Sequence, residues 1–151
     1  MTGTYDAAMA RALELASEAA RDGDVPVGAV VLNAEGAVIG EGHNRRELVH
    51  DPTAHAEVLA LREAALAVGS WRLDDCTLVV TLEPCLMCAG ALLASRIPRL
   101  VLGAWDPKAG ATGSQWDVVR DARIGARVEV ISGVRAAEST ALLTEFFEAR
   151  R

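Results

Sequence analysis

Two short segments contain side chains that could bind a metal ion and move protons: His55-Ala56-Glu57 and Pro84-Cys85-Leu86-Met87-Cys88. Cys85 and Cys88 are three residues apart, a spacing that puts both side chains on one face of a helix. The positive end of a helix favours the thiolate form of a cysteine in its first turn. Two thiolates and one imidazole are three ligands of the kinds that zinc accepts, with a fourth position left for water.

Glu57 lies two residues after His55, so in the middle of an ideal helix the two side chains would point apart. They can border one cleft if they stand at a helix start, and Asp51-Pro52-Thr53 is a helix-start signal. A free carboxylate beside a zinc-bound water is suited to general acid–base catalysis. The combined spacing, H-x-E followed by P-C-x-x-C, is the signature of zinc-dependent deaminases.

The two cysteines have simpler explanations, which the pattern leaves open. They could be buried apolar thiols or a redox pair. A closed structural zinc site would need a fourth ligand, for which His43, His50 and Cys76 are the candidates. Such a site would suit a zinc-stabilised binding module without catalysis. Cys76 stands at the start of a predicted strand, so we expect it to be a core thiol.

Length and composition indicate one folded domain. The chain has 151 residues, of which 51% are hydrophobic and 24% charged, which excludes disorder and predicts a single domain over residues 1–151. The net charge of −6 argues against indiscriminate binding to nucleic acid. One stretch is nevertheless rich in cations, which could form a solvated surface or a modest basic face: Arg96, Arg99, Lys108, Arg120, Arg123 and Arg127.

The sequence also bears on location. The longest run without a charged or polar side chain, Cys85–Ala94, is far shorter than the roughly 20 residues that cross a bilayer. The first residues contain neither a basic region nor a following apolar core, so we expect no signal peptide. Three cysteines do not make a disulfide framework. These features predict a cytoplasmic protein without a membrane partner.

Hydrophobic periodicity predicts helices and strands in the order α-β-β-α-β-α-β-β-α. The predicted helices are Tyr5–Arg21, Ala54–Val68, Pro84–Arg96 and Ala136–Arg150, with a helical turn at Gln115–Asp121. The predicted strands are Val25–Asn33, Val38–Gly42, Cys76–Leu82, Leu100–Ala104 and Arg127–Ile131. An initial hairpin followed by crossover units indicates a three-layer α/β/α domain with a mixed five-stranded sheet. The last helix is expected to turn Phe146 and Phe147 toward the core, with Leu142 and Leu143.

The chain resembles the bacterial tRNA-specific adenosine deaminases of the cytidine deaminase-like superfamily. The segments that carry this resemblance span nearly the whole chain: Val25–Val30, Gly40–Asn44, Asp51–Glu57, Thr81–Ala91, Gly103–Lys108 and Phe146-Phe147. The chain departs from the family pattern at Gly125-Ala126, where the family often has an Asn-His pair.

The resemblance implies a cytidine deaminase-like fold with one Zn²⁺ per subunit, bound by His55, Cys85 and Cys88. It implies that Glu57 is the catalytic proton shuttle. It also implies that five residues contact the substrate: Asn44, Val27, Ala56, Leu82 and Asp106. Among these, Val27 and Leu82 would form the walls of the base pocket. Asn44 would hydrogen-bond the flipped nucleotide, and Asp106 would contact the RNA backbone.

The activity that the resemblance implies is hydrolytic deamination of adenosine to inosine at wobble position 34 of tRNA. A zinc-activated water attacks C6 of adenine, and ammonia is released. The implied partners are the anticodon stem-loop of an arginine tRNA and a second copy of the chain in a homodimer. The alternative is deamination of free bases or nucleosides, such as cytosine or guanine. From the residues alone, Val27 and Leu82 could be core, Asn44 a strand end and Asp106 a turn residue.

Overall fold

The computed structural model describes residues 2–125 and 127–151. The helices in these ranges are α1 (Asp6–Arg21), α2 (Ala56–Val68), α3 (Leu86–Ser95) and α4 (Ala136–Glu148). The strands are β1 (Gly28–Leu32), β2 (Val38–His43), β3 (Thr77–Leu82), β4 (Arg99–Ala104) and β5 (Glu129–Ile131). Short 3-10 turns cover Thr2–Tyr5 and Val118–Arg120. None of the described helices is long and apolar enough to cross a membrane.

The strands form one mixed sheet in the order β2-β1-β3-β4-β5. β1 is antiparallel to both β2 and β3, whereas β3, β4 and β5 run parallel. Parallel neighbours require a long crossover, which α3 supplies between β3 and β4. The predicted five-stranded mixed sheet is therefore confirmed.

Alternate residues of the central strands pack into two separate cores. In β1, Ala29 and Val31 belong to the core that α2 and α3 cover, while Val30 belongs to the core beneath α1 and α4. In β3, Val80 and Val79 divide in the same way. Because side chains alternate between the faces of a strand, a sheet covered on both faces must be apolar throughout. The predicted α/β/α layering is confirmed.

Strand β2 lies very close to α2 because two of its residues are glycines. A Cβ atom on Gly40 would overlap the carbonyl oxygen of Ala60, and a Cβ atom on Gly42 would overlap that of Ala56. Ala56 and Ala60 are fully buried at this contact. The contact holds the first turn of α2 directly against the sheet.

The first predicted strand is too long. β1 begins at Gly28 and not at Val25. The carbonyl of Val25 accepts a hydrogen bond from Asn44 Nδ2 (3.2 Å), and the carbonyl of Val27 accepts one from the Asn44 N–H (3.0 Å). The segment before β1 is thus hydrogen-bonded to Asn44, the residue that follows β2. The valine content of the segment predicts a strand and gives no sign of these bonds.

The third predicted helix begins too early. α3 starts at Leu86, and Cys85 is its N-cap residue with extended backbone (φ −75°, ψ 178°). Pro84 precedes the helix, and its carbonyl accepts a hydrogen bond from the N–H of Ala111 (2.9 Å). A contact from a distant loop therefore fixes the start of α3. The preference of proline for the first turn of a helix would place Pro84 inside the helix.

The C-terminal third contains smaller differences. β5 begins at Glu129 instead of Arg127, and the turn predicted at Gln115–Asp121 narrows to three 3-10 residues. Phe146 is buried, but Phe147 is 50% exposed, because neighbouring residues of a helix point in different directions. The predicted departure at Gly125-Ala126 includes a residue, Ala126, that lies outside the described ranges.

Candidate active site

Helices α2 and α3 both start with a residue predicted to bind zinc. His55 is the N-cap of α2 and Cys85 is the N-cap of α3, and neither side chain makes a capping hydrogen bond to its own helix. Cys88 follows in the first turn of α3 and is fully buried. The three side chains come together in one cluster at these two helix starts.

The ligand atoms of this cluster are spaced to fit one zinc ion. His55 Nδ1 is 3.6 Å from Cys85 Sγ and 3.5 Å from Cys88 Sγ, and the three atoms lie within 4.8 Å of one another. Zinc bonds of about 2.3 Å to sulfur and about 2.0 Å to nitrogen, at a tetrahedral angle, separate nitrogen from sulfur by about 3.6 Å. The donor set and its spacing therefore suit tetrahedral zinc.

A closed structural zinc site, the alternative, lacks a fourth ligand among the residues that the structure describes. Within residues 2–125 and 127–151, no second group of metal-binding side chains forms, and His43, His50 and Cys76 stand outside the one that does. His43 Nε2 lies 3.7 Å from a carboxylate oxygen of Glu18 instead. Cys76 is a core thiol, as predicted: it is 2% exposed, and burial raises its pKa to about 11.

Glu57 stands in the first turn of α2, beside the cluster. Its side chain is only 4% exposed and lines the same cavity as His55 and Cys85. Burial raises the pKa of Glu57 to about 7, against the opposing effects of its own backbone N–H and of a hydrogen bond from Cys88. A carboxyl group whose pKa lies near neutrality can both accept and return a proton at neutral pH.

The cysteines differ in their readiness to ionise. The hydrogen bond from the Cys88 thiol lowers the pKa of Cys85 to about 4, and the contact with His55 lowers it as well. The same cysteine–cysteine hydrogen bond and burial raise the pKa of Cys88. The contact with Cys85 raises the pKa of His55. Cys85 is thus a thiolate at neutral pH, the form that a metal requires.

A cavity of about 180 Å³ opens beside the cluster. This volume is below the roughly 300–1,000 Å³ of sites for drug-sized ligands, so it suits a ligand no larger than a nucleobase. The cavity is lined by Val25, Val27, Asn44, Arg46, His55, Ala56, Glu57, Leu82, Glu83, Cys85, Asp106 and Ala109. All five residues predicted to contact substrate are in this lining.

Two of these five residues also shape the local backbone. Asn44 Nδ2 donates to the Val25 carbonyl, and Asn44 Oδ1 accepts from the N–H of Arg46 (3.1 Å). Asp106 Oδ1 accepts from the N–H groups of Lys108 (3.1 Å) and Ala109 (3.3 Å). The simpler explanations, a strand end and a turn residue, are therefore correct descriptions of part of what these side chains do.

Four lining residues were not predicted: Val25, Arg46, Glu83 and Ala109. Glu83 is the residue before the Pro-Cys motif, so its position in the sequence was a usable signal. Arg46, the residue after the loop residue Arg45, is an exposed cation at the cavity, and a loop cation is too common to be singled out. Val25 and Ala109 carry no chemical signal, since only the folded loops bring them to the cavity.

Residues 3–104 match the family described as the cytidine and deoxycytidylate deaminase zinc-binding region. This match covers about two-thirds of the chain and includes every residue of the metal cluster as well as Glu57. The family description agrees with the zinc-compatible geometry, so the predicted zinc cofactor is confirmed.

Named relatives match almost the whole chain. The tRNA-specific adenosine deaminase of Haemophilus influenzae is 50% identical over 148 residues, which are 97% of this chain and 86% of the relative. The tRNA(Ile)-lysidine synthase of Deinococcus radiodurans is 55% identical over 146 residues, which are 96% of this chain. The chain spans only 25% of the length of that second relative.

A solved structure has the same fold. It comes from studies of A-to-I editing by tRNA:A34 deaminases at the wobble position of transfer RNA. It superposes with a TM-score of 0.86 at 41% identity, covering 89% of this chain and 97% of the other. The chain therefore belongs to the tRNA-specific adenosine deaminases, within the zinc-binding family of cytidine and deoxycytidylate deaminases.

Proposed function

We propose that this chain deaminates adenosine to inosine at wobble position 34 of tRNA, consuming water and releasing ammonia. One observation carries the proposal: a single small cavity is bordered by zinc-compatible ligands, a buried carboxylate and all five residues predicted to contact substrate. The names of the Haemophilus influenzae relative and of the superposed structure support the same reaction.

In the proposed mechanism, His55, Cys85 and Cys88 hold the zinc ion. Zinc supplies a water nucleophile at neutral pH by lowering the pKa of the water that it binds. Glu57 would accept one proton from the attacking water and deliver it to N1 of adenine. It would then take the proton of the new C6 hydroxyl group and pass it to the amine, so that the C–N bond breaks, ammonia leaves and the C6 carbonyl of inosine remains. Its burial in the first turn of α2 and its pKa of about 7 support this role as a shuttle.

The substrate contacts are proposed from the cavity lining. Val27 and Leu82 are partly buried apolar residues, suited to the faces of a planar base, and Ala56 is a fully buried residue of the cavity lining beside His55. Asn44 retains a second amide hydrogen for the flipped nucleotide. Asp106, which lines the cavity from the loop after β4, is proposed to contact the RNA backbone.

We favour RNA over a free base as the substrate. A cavity of about 180 Å³ takes the base alone, so the ribose and phosphates must lie outside it. Arg46 lines the cavity, and its exposed guanidinium group, which lies 3.9 Å from a carboxylate oxygen of Glu47, can pair with a phosphate. A base in an anticodon loop is already single-stranded, so extruding it costs little.

The test is inosine formation by the zinc-loaded protein on the anticodon stem-loop of an arginine tRNA with A at position 34. Free adenosine, cytosine and guanine are assayed in parallel, together with a stem-loop whose A lies one position away. We expect conversion of the position-34 substrate alone. Conversion of a free base without conversion of the stem-loop would refute the proposal and support the alternative.

We further propose that the chain acts as a homodimer. Leu66 and Trp71 are 84% and 60% exposed and border one shallow groove beside α2. A contiguous apolar patch with polar residues at its rim, here Arg62 and Ser70, is typical of a contact surface. We expect light scattering to give twice the monomer mass for the wild type and the monomer mass for Leu66→Glu. A monomeric wild type would contradict the dimer.

Two remaining proposals follow from this reaction. We propose that residues 1–151 act as one deaminase domain, since a single sheet carries every element of the site. We propose a cytoplasmic location because tRNA is the substrate. Cell fractionation with an antibody against the chain tests the location.

A further inference from the structure

Glu83 is a buried carboxylate that the mechanism does not use. It joins β3 to the turn that begins with Pro84 and is only 2% exposed. One carboxylate oxygen accepts from the N–H of Asp106 (2.9 Å), and the other accepts from the N–H groups of Thr112 (3.0 Å) and Ser114 (3.0 Å). The hydroxyl groups of Thr112 (3.5 Å) and Ser114 also donate to it.

All of these donors belong to one loop, residues 106–114, which follows β4. Three of them are backbone N–H groups, which cannot turn round to become acceptors. A carboxylate presents only acceptors, so it satisfies every donor at once. A glutamine in the same place would direct its NH₂ group at one or two backbone N–H groups, whichever way its amide is turned.

The loop packs closely against the Glu83 carboxylate. A Cβ atom on Gly110 would overlap the carboxylate of Glu83, so glycine allows the loop backbone to pass directly over it. The Ala111 N–H donates to the carbonyl of Pro84 (2.9 Å), which fastens the same loop to the residue just before Cys85. The loop is thus tied to the zinc-ligand turn at several points.

We propose that Glu83 is a positioning residue that sets how tightly the substrate nucleotide is held. It acts through Asp106 and Ala109, which line the cavity from this loop. The metal ligands and Glu57 stand at the starts of α2 and α3 and are not part of the loop, so we expect a displaced loop to change substrate binding more than the chemical step. This inference rests on the proposed function, because substrate affinity is the property that Glu83 controls.

The test measures KM, kcat and zinc content for Glu83→Ala, Glu83→Gln and Gly110→Ala on the position-34 stem-loop. Gly110→Ala displaces the carboxylate without removing it, so it breaks the same contact by another route. For Glu83→Ala and Gly110→Ala we expect KM to rise by about 10- to 100-fold, since small displacements of positioning groups have effects of that size. Glu83→Gln should fall between these variants and the wild type. In all three, kcat should stay within about threefold, with one zinc per chain.

Met9→Ala is the matched control for a merely structural role. Met9 is fully buried in the core beneath α1 and α4, on the opposite face of the sheet. It should lower Tm and leave KM unchanged when all proteins are assayed well below their transitions. An unchanged KM in Glu83→Ala and Gly110→Ala, or a fall confined to kcat and zinc content, would overturn the inference. A wild type inactive on the stem-loop would instead refute the proposed function.

Discussion

The two sides of the cavity are built in different ways. Residues 55–57 and 85–88, the metal side, come from the first turns of two helices that pack against the sheet. Residues 44–51 and 106–114, the loop side, consist of turns and irregular segments, with one isolated β-bridge at Thr112. The metal side is held by helix packing, whereas the loop side is held by buried side chains from the segments that flank β1 and β3.

A buried carboxylate supports each loop. Asp24 is 1% exposed and accepts from the N–H groups of Glu47 (2.7 Å) and Leu48 (3.1 Å). Glu83 plays the same part for the other loop, with three backbone donors. The comparison teaches that the metal cluster and the loops that complete the cavity are held by different contacts. The two should therefore respond to different substitutions.

The largest effect is expected on the metal side, from Cys88→Ala. The variant should bind zinc more than about 100-fold more weakly, because changes merely next to a ligand already have effects of 10- to 100-fold. It should also unfold at a lower temperature, since ligation contributes to folding. Metal analysis and thermal denaturation measure both, and Cys76→Ala, a buried cysteine outside the cluster, should keep one zinc per chain. A Cys88→Ala protein that still binds one zinc per chain would contradict the assignment of Cys88 as a ligand of the metal side.

Glu57→Gln should separate chemistry from metal binding on the same side. Without the shuttle, kcat should fall by about 10²- to 10⁴-fold, the usual contribution of general acid–base catalysis. Zinc content should be unchanged, because the three ligands remain. Steady-state kinetics with metal analysis measure this, and Glu63→Gln, an exposed residue of the same helix, is the control. Full activity in Glu57→Gln would exclude the shuttle.

The buried carboxyl group of the metal side also predicts a pH dependence of stability. Because burial raises the pKa of Glu57 from 4.5 to about 7, the metal-free folded protein binds a proton that the unfolded chain releases. Its unfolding free energy should therefore fall, relative to that of Glu57→Gln, as pH rises from about 4.5 to about 7, by on the order of 3 kcal/mol. Urea denaturation in chelator at several pH values measures the difference. A difference that grows with pH would contradict the predicted burial cost.

The smallest effect is expected on the loop side, from Asp24→Asn. An asparagine NH₂ group would face one of the two backbone N–H groups, so one anchor of residues 44–51 is lost. A net hydrogen bond is worth about 1 kcal/mol, so KM for the stem-loop should rise by about fivefold with kcat and zinc unchanged. Kinetics on the zinc-loaded protein test this. A fall in kcat with constant KM would show that the two sides are not independent.

The sequence was sufficient for the metal side and for the fold class. His55, Glu57, Cys85 and Cys88 are chemically distinctive and stand at helix starts, where short-range signals are strong. The alternation of Val30 with Ala29 and Val31 belongs to a fully buried strand, and the segments between strands are long enough for crossover helices. These properties depend on residues that are close in the chain, so a single sequence is enough to predict them.

The loop side could be predicted only through the resemblance to known deaminases. The role of Glu83 depends on donors that are 23 to 31 residues away in the chain. Long-range hydrogen bonds also explain the wrong boundaries at Val25 and Pro84. The carbonyl group of Val25 accepts from Asn44, and that of Pro84 accepts from Ala111. Secondary-structure propensities describe neighbouring residues only, so they cannot account for a hydrogen-bond partner that is distant in the sequence.

The close contact between Gly42 and Ala56 restricts how this enzyme can vary. Gly42 is outside the cavity lining, yet any larger side chain there would push the carbonyl of Ala56, and with it the first turn of α2, away from the sheet. A shift of about 1 Å at a catalytic group can reduce activity by about 100-fold. A library of random substitutions selected for activity should therefore retain glycine at position 42, although the residue touches neither metal nor substrate.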